Sequence, residues 1–158
     1  MPWLISTLVG LTVPALLTRL FQISFPYMAT LVPFVLVIGA MGGNIGTQSA
    51  TIVVRGFATG RVDFDNLGRF LFKETIVSFI IGVACGLIAG AVALLWQGDA
   101  ILGVTVAIIA SALLGVLVPY LFRAIKIDPA VAAGPTVTTV NDIVAIGIYY
   151  LVALSIVT

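Results

Sequence analysis

The stretch FPYMATLVPFVLVIGAMGGNIGTQSATIVV, residues 25–54, contains no charged side chain. A helix needs about 20 consecutive apolar residues to cross a bilayer, so this stretch can span a membrane and is long enough to be tilted or locally broken. Its second half is unusual, because glycine weakens helices and buried amides are costly. That half carries Gly39, Gly42, Gly43, Asn44, Gly46, Thr47, Gln48, Ser49 and Thr51. The stretch predicts a membrane helix with an added role in packing or in contact with water.

The composition of the whole chain indicates the same class. The 158 residues are 61% hydrophobic and 8% charged, with a mean hydropathy of +1.28, whereas soluble domains carry about 25% charged residues. We predict an all-α integral membrane protein with five transmembrane helices in the inner (plasma) membrane. Residues 1–158 then form a single transmembrane domain with no cytoplasmic regulatory domain, and the bilayer is its main partner. The predicted spans are residues 3–20, 25–54, 71–96, 101–122 and 130–157.

The basic residues predict the orientation of the chain. Most of them flank the second and fourth connections, and one lies on the other side. The first group is Arg55, Arg61, Arg69, Lys73, Arg123 and Lys126, and the lone residue is Arg19. Cytoplasmic loops of membrane proteins carry an excess of Lys and Arg. We therefore expect a cytoplasmic N-terminus and a C-terminus outside.

Several function classes are disfavoured by what the chain lacks. It has no histidine, the commonest general base and transition-metal ligand, and only one acid deep in a span, so an intramembrane enzyme is not expected. The single cysteine, Cys85, allows no intrachain disulfide and is expected to be a packing residue. No basic cluster suggests nucleic acid.

Glycines at four-residue spacing predict close helix packing in two spans, because small residues on one face let backbones approach. In the third span this ordinary packing role is favoured. In the second span polar residues follow the glycines, so packing alone explains less. The third-span set is Gly82, Gly86 and Gly90, and the second-span set is Gly39, Gly42, Gly43 and Gly46.

Asp142 lies about halfway along the fifth predicted span. A carboxylate at the bilayer centre costs about 2.5–3.5 kcal/mol on insertion scales, and no deep cation is available to pair with it. Such an acid is a functional candidate, the alternative being a buried ion pair or a protonated, hydrogen-bonded Asp. Gly134, Thr138 and Asp142 are spaced four apart and share one face, with Asn141 beside them.

Pro135 predicts a break in the same span, because it lacks an N–H and disrupts the hydrogen bond to the carbonyl of Val131. Free carbonyls at membrane depth are tolerated only against protein or a water-filled cavity. Carbonyls, hydroxyls and a carboxylate are hard oxygen ligands, which suit Mg²⁺ or Ca²⁺.

The second span offers a matching uncharged face. Its polar residues follow the i, i+3, i+4, i+7 pattern of one helical face, and they are Asn44, Thr47, Gln48 and Thr51. Two polar faces on two spans suggest a shared aqueous path. One carboxylate is little charge for a divalent cation, but a symmetric dimer would place two Asp142 residues around one axis.

Taken together, these residues resemble the membrane region of the MgtE magnesium channel family. The resemblance covers essentially the whole chain, and its motifs are specific in combination. They are the run PFVLVIGAMGGNIGTQS at residues 33–49, Arg55-Gly56, Lys73-Glu74, Asp128-Pro129-Ala130, Gly134-Pro135, Thr138-Thr139 and Asn141-Asp142.

The resemblance implies five membrane helices per protomer, a homodimer, and a pore on the dimer axis lined by the second and fifth helices. It implies that Asp142 is the central acid of a site for largely hydrated Mg²⁺, helped by backbone oxygens at Gly134 and Thr138, and that Thr47 and Thr51 face the pore. Pro135 and Asn141 are expected to line the pore, with Asn44 and Gln48 opposite. Typical members carry upstream cytoplasmic regulatory domains, including CBS domains. This sequence has none, so it corresponds to a truncated membrane domain or a minimal member.

Two other functions stay open at this point. A cation-coupled Mg²⁺ exchanger would differ from a channel by needing a counter-ion to carry current. If the protein is instead a structural helix-packing subunit, metal flux will not depend on Asp142.

Overall fold

The computed structural model describes residues 2–60, 66–96, 101–128 and 132–157, and the long elements in these ranges are all helices. They are α1 (Pro2–Ser24), α2 (Val32–Ala58), α3 (Leu67–Trp96), α4 (Ile101–Ala124) and α5 (Val137–Val157). A 3₁₀ turn, Pro26–Leu31, leads into α2, and a π-helical turn, Ala132–Thr136, leads into α5. Within the described ranges five helical segments are long and apolar enough to cross a membrane. The predicted all-α membrane class is confirmed.

The second predicted span, residues 25–54, is divided in the structure. Its first residues form the 3₁₀ turn, and α2 begins with Pro33 in its first turn, where a missing N–H costs no helical hydrogen bond. The helix then continues past Arg55 to Ala58. Gly60, at φ +64°, follows it in the left-handed conformation common after helix ends.

Three other helices also extend beyond the predicted limits. The predicted spans 3–20, 71–96 and 101–122 end or begin next to a basic residue, whereas α1 continues to Ser24, α3 begins at Leu67 and α4 continues to Ala124. Long basic side chains can keep their charge in water while their stems lie along apolar surface, so a charge near a helix end does not terminate it. Residues 130 and 131, where the fifth span was expected to begin, lie outside the described residues.

The central helix of the bundle is α4, which packs against α2, α3 and α5. Small residues of α3 face it, as their spacing predicts. A Cβ built at Gly82 would lie 3.0 Å from the Cα of Ile109, and one built at Gly86 would lie 3.0 Å from the carbonyl oxygen of Thr105. The Thr105 hydroxyl donates a 3.0 Å hydrogen bond to the carbonyl of Gly86. Close backbone approach therefore holds α3 against α4.

Aromatic contacts attach α1 and the 3₁₀ turn to the bundle. Phe21 of α1 stacks on Tyr150 of α5 with ring centroids 4.5 Å apart. The Tyr149 hydroxyl donates a 2.9 Å hydrogen bond to the carbonyl of Leu31. Most of the side chains described on α1 are exposed, so α1 is a peripheral helix whose apolar surface is left for lipid.

Candidate functional site

The glycines of α2 face two different helices. Cβ atoms built at Gly39 and Gly43 would lie 3.6 Å from the Asp142 carboxylate and from the Thr138 methyl group, both on α5. One built at Gly42 would lie 2.5 Å from the Ser111 hydroxyl of α4. These glycines form two overlapping motifs, Gly39-xxx-Gly43 and Gly42-xxx-Gly46. Helices α5 and α4 therefore pack on neighbouring faces of α2.

Gly46 lies where all three helices meet. A Cβ at this position would overlap the amide nitrogen of Asn141 on α5 and lie 3.2 Å from the carbonyl oxygen of Ser111 on α4. A Cβ at Gly115 of α4 would in turn overlap the carbonyl oxygen of Gly46. The absence of side chains at these two positions lets α2 and α4 cross in backbone contact.

Asp142 is buried on the face of α5 that meets Gly39 of α2, with 9% of its surface exposed. Its Oδ1 atom is fully buried and accepts no hydrogen bond within the described part of the chain. No cationic side chain pairs with it in the same ranges, so the ion-pair alternative has no support there. A buried carboxylate oxygen without a donor is costly, and this makes Asp142 the strongest candidate for contact with a cation or its water.

Asn141 lies inside the protomer. It is apart from the polar stripe of α2, the face formed by Asn44, Thr47, Gln48 and Thr51. Its side chain is 1% exposed, and its Nδ2 donates a 2.9 Å hydrogen bond to the carbonyl of Gly42. Its Oδ1 is buried and has no donor among the described residues. This placement ties α5 to α2 directly beside Asp142.

The turn before α5 departs from α-helical geometry at Gly134 and Pro135, as a proline without an N–H predicts. Hydroxyl groups one turn later partly satisfy the carbonyls there: Thr138 donates to Gly134 at 3.3 Å, and Thr139 donates to Pro135 at 2.8 Å. A Cβ at Gly134 would meet no atom of the described residues within 4 Å. The turn therefore borders open space, and each carbonyl oxygen keeps a second lone pair.

The polar stripe of α2 faces away from the protomer. Asn44, Gln48 and Thr51 are exposed and Thr47 is half-buried. The Thr51 hydroxyl donates to the carbonyl of Thr47 at 2.8 Å, whereas the amides of Asn44 and Gln48 have no partner within the described ranges. The structure therefore brings Asp142, Thr138, Gly39 and Gly43 together and leaves the stripe on an adjoining outer face.

Comparison with known proteins places these features in a family. Residues 35–152 match the family model described as MgtE, divalent cation transporter. The chain belongs to the MgtE family. It is 34% identical over 160 residues to the magnesium transporter MgtE of Bacillus subtilis, 32% to that of Enterococcus faecalis over the same length, and 31% over 158 residues to that of Thermus thermophilus. These alignments cover 97%, 97% and 96% of this chain but 35% of each relative.

Membership of the MgtE family and the five membrane-spanning helices make this a multi-pass membrane protein. The sequence interpretation missed the contribution of α4 to the junction. Ser111 is fully buried, and its hydroxyl has no partner within the described ranges. The pattern Ser111-xxx-Gly115 is the same small-residue signal that was recognised on α2 and α3, and it could have indicated this third helix.

Proposed function

We propose that two copies of this chain form a channel that conducts hydrated Mg²⁺ along the dimer axis, between α2 and α5 of each copy. The observation that carries the proposal is the Asp142 carboxylate, buried in the second turn of α5 with an oxygen that has no donor in the described part of the chain. The relatives are magnesium transporters by name, and transport accounts for such a carboxylate better than catalysis does.

The outward polar stripe of α2 supports the homodimer. Exposed amides such as Asn44 and Gln48 would be costly against lipid, where nothing replaces their hydrogen bonds to water. A second copy related by a two-fold axis would present the same stripe. The two stripes would then border a water-filled path and avoid lipid.

The chemistry at Asp142 suits an ion that keeps its water. Mg²⁺ sheds its waters reluctantly and is usually held through one or two carboxylates. Two Asp142 carboxylates on the axis would attract the ion and accept hydrogen bonds from its waters. Carbonyl oxygens of Gly134 and Thr138 would accept further bonds, and the Gly39 side of α2 leaves space beside the acid.

The membrane potential would drive the ion inward. It is worth about 2.3 kcal/mol per charge per 100 mV, and so about twice that for a divalent ion. A channel carries this current without a counter-ion, whereas a coupled exchanger does not. Electrical recording in a planar bilayer with Mg²⁺ as the only permeant cation separates the two mechanisms.

The test of the Asp142 site is Mg²⁺ flux into liposomes containing the purified protein. We expect Asp142→Asn to lower the flux about tenfold or more, because an amide keeps the size of the side chain and removes its charge; tenfold corresponds to about 1.4 kcal/mol. The matched control is Asp99→Asn, the same change at an acid in the connection between α3 and α4, and its flux should stay within about twofold on the usual size of surface effects.

Dimer content must be measured for both variants by size-exclusion chromatography with light scattering, since a failure to assemble would also abolish flux. Equal flux in wild type and in a dimeric Asp142→Asn protein would refute the Asp142 site.

A further inference from the structure

A cavity of about 380 Å³ opens between one end of α2 and the facing end of α3. On the orientation predicted from the basic residues, these are the cytoplasmic ends, at the depth of the lipid head groups. The cavity combines charged, hydroxyl and apolar groups. The described residues that line it are Ile52, Arg55, Gly56, Thr59, Phe70, Lys73 and Glu74.

The charges in this cavity are not paired with one another. Arg55 and Lys73 are exposed cations on two different helices, and Glu74 is a half-buried acid beside Lys73. None of the three makes an ion pair within the described residues. Among the described residues, two cations and one anion line this space without pairing with one another, and this set is complementary to a ligand carrying both a negative and a positive group.

The remaining walls suit an amphiphile. Ile52 is 43% exposed and Phe70 is half-buried, so apolar surface adjoins the charged groups. The Thr59 hydroxyl donates its proton to the carbonyl of Arg55 at 2.8 Å, which leaves its oxygen free to accept a hydrogen bond. Basic pockets between membrane helices on the cytoplasmic side are a recurring kind of lipid head-group site.

We propose that this cavity binds the head group of an aminophospholipid. Arg55 and Lys73 bind the phosphodiester, with the Arg55 guanidinium able to form two parallel hydrogen bonds. Glu74 accepts a hydrogen bond from the primary ammonium, and the acyl chains lie along the apolar wall formed by Ile52 and Phe70. The presence of Glu74 favours this head group over one that is only anionic.

The experiment uses the purified full chain and measures lipid adducts by native mass spectrometry during titration with phosphatidylethanolamine, phosphatidylcholine and phosphatidylglycerol of identical acyl chains. Each basic residue near a membrane surface is worth about fivefold in lipid affinity. Arg55→Gln with Lys73→Gln should therefore weaken phosphatidylethanolamine binding about 25-fold. Arg69→Gln, at an exposed basic residue of the same region that does not line the cavity, is the matched control and should leave binding unchanged.

Glu74→Gln provides a second and opposite readout. It should abolish the preference for phosphatidylethanolamine over phosphatidylcholine, whose quaternary ammonium has no N–H to donate, and it should increase phosphatidylglycerol binding. A misfolded protein would not gain affinity for one lipid while losing preference for another. Glycerophosphoethanolamine, the head group without acyl chains, should fail to displace the lipid at equal concentration.

Four results would overturn the proposal. They are equal weakening by Arg69→Gln, no weakening by the double variant, equal wild-type affinity for phosphatidylcholine and phosphatidylethanolamine, and displacement by the soluble head group at equal concentration. The first would indicate a diffuse surface-charge effect, and the last would indicate a soluble phosphodiester ligand. All of them are independent of Mg²⁺ flux.

Discussion

At the scale of single residues, the amide of Asn141 connects the acid-bearing helix to its neighbour. Its hydrogen bond to the carbonyl of Gly42 is 2.9 Å long and fully buried, and it joins residues 99 positions apart in the chain. Because Asp142 is the next residue, this bond also fixes the rotation of α5 about its own axis, and with it the direction in which the carboxylate lies. Asn141 is thus a positioning residue for the proposed site.

We expect Asn141→Ala to destabilise the protein by about 1–3 kcal/mol, because the buried Gly42 carbonyl loses a donor and the packed amide leaves a space. Asn44→Ala is the same change at an exposed amide of α2 and should stay within about 0.5 kcal/mol. Thermal unfolding in one detergent, followed by circular dichroism, compares the two. Equal losses of stability in the two variants would contradict the role assigned to the buried hydrogen bond.

At the scale of helices, the crossing of α2 and α4 depends on contact between two backbones. A Cβ at Gly115 would overlap the carbonyl oxygen of Gly46 and lie 2.8 Å from its Cα. Backbone atoms cannot rotate away as a side chain can, so the two helices would have to separate. The crossing also holds Gly42 in place, and Gly42 accepts the hydrogen bond from Asn141.

Gly115→Ala should therefore destabilise the protein by about 1–3 kcal/mol, the usual cost of overpacking. Gly147→Ala is the matched control on α5, where a Cβ would meet no described atom within 4 Å. Since alanine is a better helix former than glycine by about 1 kcal/mol, this control should be neutral or stabilising. The same unfolding assay measures both, and the crossing is wrongly assigned if the two variants lose stability alike.

At the scale of the whole molecule, the exposed surface of the protomer has two kinds of face. Exposed apolar residues such as Leu87 and Leu95 on α3 suit contact with lipid. The outer face of α2 instead carries Asn44 and Gln48. In the proposed homodimer, with the α2 stripes turned inward, the apolar faces would meet lipid and the stripes would meet water.

A cysteine placed on the stripe should therefore cross-link two copies. In a Cys85→Ala background, we expect Gln48→Cys to form dimers with a short bifunctional thiol reagent in liposomes. Leu87→Cys on α3, a residue 55% exposed, should remain monomeric after the same treatment. Denaturing gels quantify the dimer band, and comparable yields at the two positions would indicate random collision and argue against the proposed interface.

The sequence by itself determined the membrane class, the five helices and the break before α5. These features depend on local properties: the length of uncharged runs, the spacing of charges, and a proline that removes a hydrogen-bond donor. The family motifs also lie along the chain and could be recognised there. The limits of several helices differ from the predicted spans, because a basic side chain near the end of a helix does not stop the helix.

The tertiary structure alone decided which helix each face of α2 meets. Helical periodicity places Gly39 with Gly43 and Gly42 with Gly46, but both faces are equally small, and nothing local distinguishes α4 from α5 as the neighbour. Asn141 was expected beside a water path, yet it donates to a backbone carbonyl inside the protomer. That bond joins residues far apart in the chain, so it exists only once the helices have packed, and the same packing leaves an oxygen of Asp142 without a donor in the described part of the protomer.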